Sequence, residues 1–146
     1  MSVRVEFVKL RPGAVVPVYQ TDQAAAVDLH ACLDEQITLQ PGEVHIIPTG
    51  LSIALPNGYE GQVRSRSGLA AKHAVVVLNS PGTLDSDYRG ELGVILINHG
   101  KLPYDVLPND RVAQFVVAPH EQVQFQQVES LDDTTRGDGG FGGTGR

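Results

Sequence analysis

The chain has 146 residues, with 11 basic against 17 acidic side chains and a net charge of −6. That length suits one domain with a real core. The acidic balance disfavours a sheath around a nucleic-acid polymer, which needs a basic face, but leaves room for a single nucleotide neutralised by a few local arginines and a metal. Cys32 is the only cysteine, so no internal disulfide forms and a cytoplasmic setting is expected. No run approaches the ~20 apolar residues of a membrane span, and no membrane partner is expected.

Taken in chain order, Val3, Val5 and Phe7 alternate as a strand, without the apolar core of a signal peptide. Asp28 then interrupts the small-residue run Ala24-Ala25-Ala26-Val27. A structural hydrogen bond and a functional carboxylate explain it equally well. Ile37 and Leu39 lead into a turn at Pro41-Gly42, and Val44, Ile46 and Ile47 follow as a strand. Leu51, Ile53 and Leu55 alternate as another, closed by the hairpin signal Pro56-Asn57-Gly58. One short helix is predicted around Ser67 to His73, with Ser67 as its cap. Ala74 to Leu78 and Leu92 to Ile97 are continuous apolar runs, the pattern of strands buried on both faces, and the polar block between them reads as a hairpin. Tyr104 to Leu107, Val112 to Val117 and Val123 to Val128 complete the ordered body. Many short strands at roughly 8–12-residue spacing predict an all-β fold: a sandwich, barrel or jelly roll. From about Ser130 the composition shifts to Asp, Thr and Gly, so an ordered domain is expected over residues 1–129 and a flexible tail over 130–146.

Four stretches carry candidate chemistry. The glycine-rich tail cannot hold a helix or strand by itself, yet it contains Arg136, Phe141, Thr144 and Arg146. Those are the parts of a nucleotide clamp: a ring to stack on a base, guanidinium groups for phosphate, and free glycine amides. The block from Asn79 to Glu91 packs acids, an amide, Tyr88 and Arg89 into one connection. A carboxylate there, such as Asp85, can orient a water and take its proton. Arg66-Ser67-Gly68 stands where a strand meets the short helix, and reads either as an anion site or as a plain helix start. It lacks the Gly-Lys-Ser/Thr core of a Walker loop. Asp110 opens a strand, where it caps a turn or pairs with an arginine, and Gln114 is a polar residue inside that apolar strand, so it must find partners or face a site. The five histidines, at positions 30, 45, 73, 99 and 120, show no metal-ligand spacing.

In series, Arg66-Ser67-Gly68-Leu69, Asp85-Ser86-Asp87-Tyr88-Arg89-Gly90-Glu91 and the Gly-Gly-Phe-Gly tail resemble the trimeric dUTP diphosphatase (dUTPase) family over nearly the whole chain. The resemblance implies a distorted jelly-roll β-barrel with one short helix, and a homotrimer whose active sites are each assembled from three subunits. The tail then closes as a lid over bound nucleotide. It implies hydrolysis of dUTP to dUMP and diphosphate with Mg2+, limiting uracil incorporation into DNA and supplying dUMP for dTMP synthesis. Asp85 matches the acid that positions the attacking water. Asn79 and the backbone of Gly82, Thr83, Leu84 and Asp85 match the groups that read uracil, and Tyr88 matches the ring against deoxyribose. Ser67, Gly68 and Gln114 match phosphate contacts, and Arg66 with Asp110 a supporting pair. Asp28 matches an acid in the water and metal network, with Mg2+ held mainly by substrate phosphates and waters and no direct protein ligand. Arg136 matches a contact to the terminal phosphate, Phe141 with Gly142 the stack over uracil, and Thr144 a further phosphate contact. Three positions depart from the family pattern. Ala26 replaces a usual Gly, which requires a backbone that is not at positive φ. Ser65 replaces a common Pro, loosening the approach to Arg66. Gly143 replaces a common Ser or His, losing one tail contact. Two other readings share the scaffold: a dCTP deaminase, which typically has a second Ser where this chain has Gly68, and a non-catalytic nucleotide sensor.

Overall fold

The computed structural model describes residues 2–145. Ten strands and one helix follow in the order β1 (Glu6–Lys9), β2 (Val27–His30), β3 (Ile37–Leu39), β4 (Val44–Ala54), β5 (Tyr59–Arg64), α1 (Ser67–His73), β6 (Val75–Val77), β7 (Gly82–Leu84), β8 (Glu91–Asn98), β9 (Tyr104–Val106) and β10 (Arg111–Pro119). Two four-stranded sheets, ordered β1-β4-β8-β6 and β2-β10-β5-β7, are joined by the pair β3-β9. Every pairing is antiparallel. One hydrophobic cluster spans all three: Ile47, Val94 and Leu96 from the first sheet, Leu29, Val63 and Phe115 from the second, Leu39 and Val106 from the third. The fold is all-β and jelly-roll-like, with a single short helix, as the strand pattern predicts.

Several elements differ from the sequence reading, each for a physical reason. The two strands expected over Val44–Leu55 are one strand, carried through Pro48-Thr49-Gly50 by an irregularity in the β4–β8 register. Gly50 makes this passage possible: its φ is +70°, and a Cβ there would lie 2.9 Å from both Ala14 Cβ and Cys32 Sγ. β8 is not buried on both faces; burial alternates strictly along it, with Leu92, Val94, Leu96 and Asn98 inward. Its other face is only half-covered within one chain. Val123 to Val128 form no strand, because no strand of the described chain pairs with them, and Phe125 is 94% exposed. The polar block is not a hairpin either. The chain leaves β6 in one sheet, makes β7 against β5 in the other, and returns as β8 beside β6. Ser67 does not cap the helix: Arg66 is the N-cap residue, with no side-chain cap bond.

Asn98, fully buried, ties the layers together. Its Nδ2 donates to the carbonyls of Leu39 (2.9 Å) and Leu102 (2.8 Å), and its Oδ1 accepts the N–H of Gly100 (2.8 Å). Asn98→Ala leaves three buried or part-buried backbone groups without partners, and is expected to cost on the order of 3 kcal/mol. A lower urea midpoint with unchanged slope, at fixed protein concentration, checks this.

Candidate active site

The excursion through β7 builds a pocket. It has a volume of about 200 Å³ and its wall includes Asn79, Gly82, Thr83, Leu84, Asp85 and Tyr88. That is below the ~300–1,000 Å³ of pockets that enclose a whole drug-sized ligand, so it has room for only part of one. Six predicted residues, scattered from position 79 to 88, therefore meet in one place. Gly82 pairs with Val63 of β5 and packs under Asn79, where an added Cβ would be 3.0 Å from Asn79 Nδ2. Asp85 is exposed just beyond β7, and its carbonyl accepts the Tyr88 N–H at 3.2 Å. The Tyr88 hydroxyl donates to the Glu91 carbonyl at 3.0 Å.

A second cluster lies across the same sheet. Asp28, 8% exposed, holds two guanidinium groups: Arg66 Nε at 3.1 Å on Oδ1 and Arg111 Nη1 at 3.3 Å on Oδ2. Arg66 Nη1 also donates to the Arg111 carbonyl at 3.1 Å. The expected Arg66–Asp110 pair is thus replaced by Arg66–Asp28. Asp110 turns away and accepts the Leu107 N–H at 2.9 Å, ending a turn. Arg111 belongs to this cluster and escaped the sequence reading, because its partner is 83 residues away. Gln114 stands in register between Asp28 and Arg64, half-buried on β10. Ser67 and Gly68 are exposed at the first turn of α1, with open space where a Gly68 Cβ would project. His30 neighbours the cluster; burial pushes its pKa below the ordinary value, against the pull of Asp28, and its buried Nδ1 has no partner.

The strand register keeps the two clusters apart. Leu84, just before Asp85, stands opposite Gly61, whereas Gln114 stands opposite Arg64. Three residues of strand are about 10 Å. The predicted tail residues join neither cluster. From Glu121 onward every described residue except Gly140 is exposed, including Arg136, Phe141, Gly142 and Thr144. Arg136 Nε donates to the Gly139 carbonyl at 2.8 Å. Arg146 lies outside the described residues.

The departures resolve in two cases. Ala26 is not among the positive-φ residues, so its methyl is tolerated. Ser65 does not loosen the approach to Arg66: its Oγ accepts the Val77 N–H at 2.9 Å and fastens that connection to β6. Among the described residues, no helix is long and apolar enough to cross a membrane.

A model of the dUTPase family matches residues 13–145. A deoxyuridine 5'-triphosphate nucleotidohydrolase of Syntrophotalea carbinolica is 49% identical over 144 residues, covering 99% of this chain and 98% of its own. Among solved structures, a Staphylococcus bacteriophage 80alpha dUTPase with dUpNHpp has a TM-score of 0.85 at 26% identity, covering 98% of this chain and 99% of that one. A mutant dUTPase from phage phi11 of S. aureus, described for its coordination of a structural Mg(II) ion, has a TM-score of 0.79 at 25% identity, covering 88% and 98%.

Proposed function

The chain belongs to the dUTPase family, and on that premise we propose that it hydrolyses dUTP to dUMP and diphosphate by in-line attack of a water on the α-phosphorus. The observation that carries this reading is the pocket that gathers Asn79, Gly82, Asp85 and Tyr88. Asn79 and the β7 backbone read uracil, Tyr88 covers the deoxyribose, and Asp85 holds the water and takes its proton. Diphosphate is already a good leaving group, so no covalent intermediate is required.

Mg2+ keeps several waters and is usually held through one or two carboxylates plus substrate phosphates. Among the described residues, no three His, Cys, Asp or Glu side chains gather to hold a metal, and both oxygens of Asp28 face guanidinium groups. This donor set fits an ion carried on the triphosphate and its waters rather than a protein cage. Bound there, Mg2+ neutralises phosphate charge. Asp28 then serves the phosphates by fixing Arg66, while Ser67, Gly68 and Gln114 contact them directly. Asp110 supports from the turn before β10. Arg136, Phe141, Gly142 and Thr144 close over the nucleotide as a lid formed by residues 130–146.

The same reading includes a homotrimer with shared sites. In this trimer the phosphate cluster that serves a given Asp85 comes from a neighbour, a reading supported by the offset of about 10 Å between Asp85 and Gln114 along one chain's sheet. Exposed apolar surface supports this: Ile46 (68%) and Val44 (46%) flank Ile95 and Ile97 in register, and Phe125 and Leu131 are uncovered.

The test is diphosphate release from dUTP beside dCTP, dTTP and UTP, with Mg2+ and then with EDTA. Mg-dependent release from dUTP alone is expected. Binding of dUTP with no release would establish a sensor, and ammonia from dCTP a deaminase.

A further inference from the structure

The position of the Tyr88 ring depends on residues beneath it. A Cβ added to Gly90 would stand 2.3 Å from Tyr88 Oη and 2.5 Å from Cζ, so the ring rests where that side chain would be. Gly90 is not at positive φ, and the ring is what an added methyl meets first. The Tyr88 hydroxyl is anchored on the carbonyl of Glu91 at 3.0 Å.

The backbone of that segment is itself held from three sides. Buried Ser52, on β4, donates its hydroxyl to the Arg89 carbonyl at 2.6 Å. Glu91 Oε1 accepts the Gly50 N–H at 2.8 Å and pairs with Arg11 Nη2. Arg11 Nη1 reaches the Cys32 carbonyl at 3.3 Å, bracing the guanidinium against the body of the fold. An exposed ion pair alone adds little. This carboxylate also satisfies a part-buried backbone donor at the bend of β4, so charge and hydrogen bond fix one conformation together.

We propose that Gly90, Glu91 and Arg11 form a seat that sets the height of the Tyr88 ring and thereby the discrimination of deoxyribonucleoside from ribonucleoside triphosphates. This rests on the reading of Tyr88 as the sugar-facing ring. All three are positioning residues, since they act through Tyr88. A ring displaced by a methyl on Gly90 no longer stands where it excludes a 2'-hydroxyl. A seat loosened at Arg11 lets Glu91, and with it the carbonyl under Tyr88, shift.

The experiment compares kcat/KM for dUTP and for UTP in the full chain and in Tyr88→Ala, Gly90→Ala, Arg11→Met and Arg11→Lys, with a thermal melt of each. Gly90→Ala is expected to lower the dUTP/UTP ratio roughly tenfold or more, the scale of one displaced methyl-sized group in a pocket. Arg11→Met lowers it less, and Arg11→Lys restores it. A collapsed ratio in Tyr88→Ala with unchanged ratios in Gly90→Ala and Arg11→Met overturns the seat and leaves the Tyr88 reading standing. An unchanged ratio in Tyr88→Ala removes that reading and the seat with it. Should Gly90→Ala fail to fold, Arg11→Met, at a half-exposed side chain on the surface, decides the matter.

Discussion

Replacing Asp85 by Asn is expected to cut kcat by about 10²–10⁴ while leaving the fold intact. The side chain is exposed beyond the end of β7, and the local turn is closed by the Asp85 carbonyl, which Asn retains. Asn has the same shape and can still touch a water, but it cannot take the water's proton. The loss should fall on kcat rather than KM, because base, sugar and phosphates are held by other groups. Single-turnover release of diphosphate, beside a melting curve matching the unsubstituted protein, measures it. Near-normal turnover would show that another group activates the water.

The strands and the pocket were legible for different reasons. Strand positions follow from local alternation and turn signals, so β3, β9 and β10 fall close to where the sequence puts them. Asp85 and Tyr88 are three residues apart, and any turn linking β7 to β8 keeps them neighbours. What one chain's alternation cannot express is pairing at a distance. β7 reads as part of a hairpin because its partner β5 lies about twenty residues earlier, and a three-residue strand has too few side chains to show a period. The Arg66–Asp28 contact spans 38 residues and the Arg11–Glu91 pair 80, and in neither case does spacing identify the partner. Apolar runs mislead in the opposite direction. Leu92 to Ile97 looks buried on both faces, and within one chain only alternate residues are. Val123 to Val128 has strand-like composition and no strand to pair with. Both mismatches fit the homotrimer proposed above, in which other copies of the chain would cover this apolar surface.

Discrimination against cytosine is expected to reach about 10⁴ or more in kcat/KM, dUTP over dCTP. Cytosine offers an amino donor and a bare ring nitrogen where uracil offers a carbonyl and an N–H. A reader made of backbone groups cannot rotate to suit the wrong base, so each mismatch leaves a buried polar group unpaired. In the proposed reading β7 is such a reader, and its pairing with β5, with Gly82 opposite Val63, holds it rigid. Gly82→Ala probes that rigidity. The new methyl would meet Val63 Cβ at 3.2 Å and Asn79 Nδ2 at 3.0 Å. Val63 is in the core, 6% exposed, and cannot withdraw; Asn79 is exposed and can. The methyl therefore shifts the Asn79 amide at the pocket wall. The expected result is a fall in kcat/KM for dUTP of roughly 10–200-fold, with a smaller fall for dCTP, so that the ratio narrows. Equal falls for both substrates would mean that Gly82 shapes the pocket without Asn79 reading the base. An unchanged rate for both would place base recognition elsewhere than on β7.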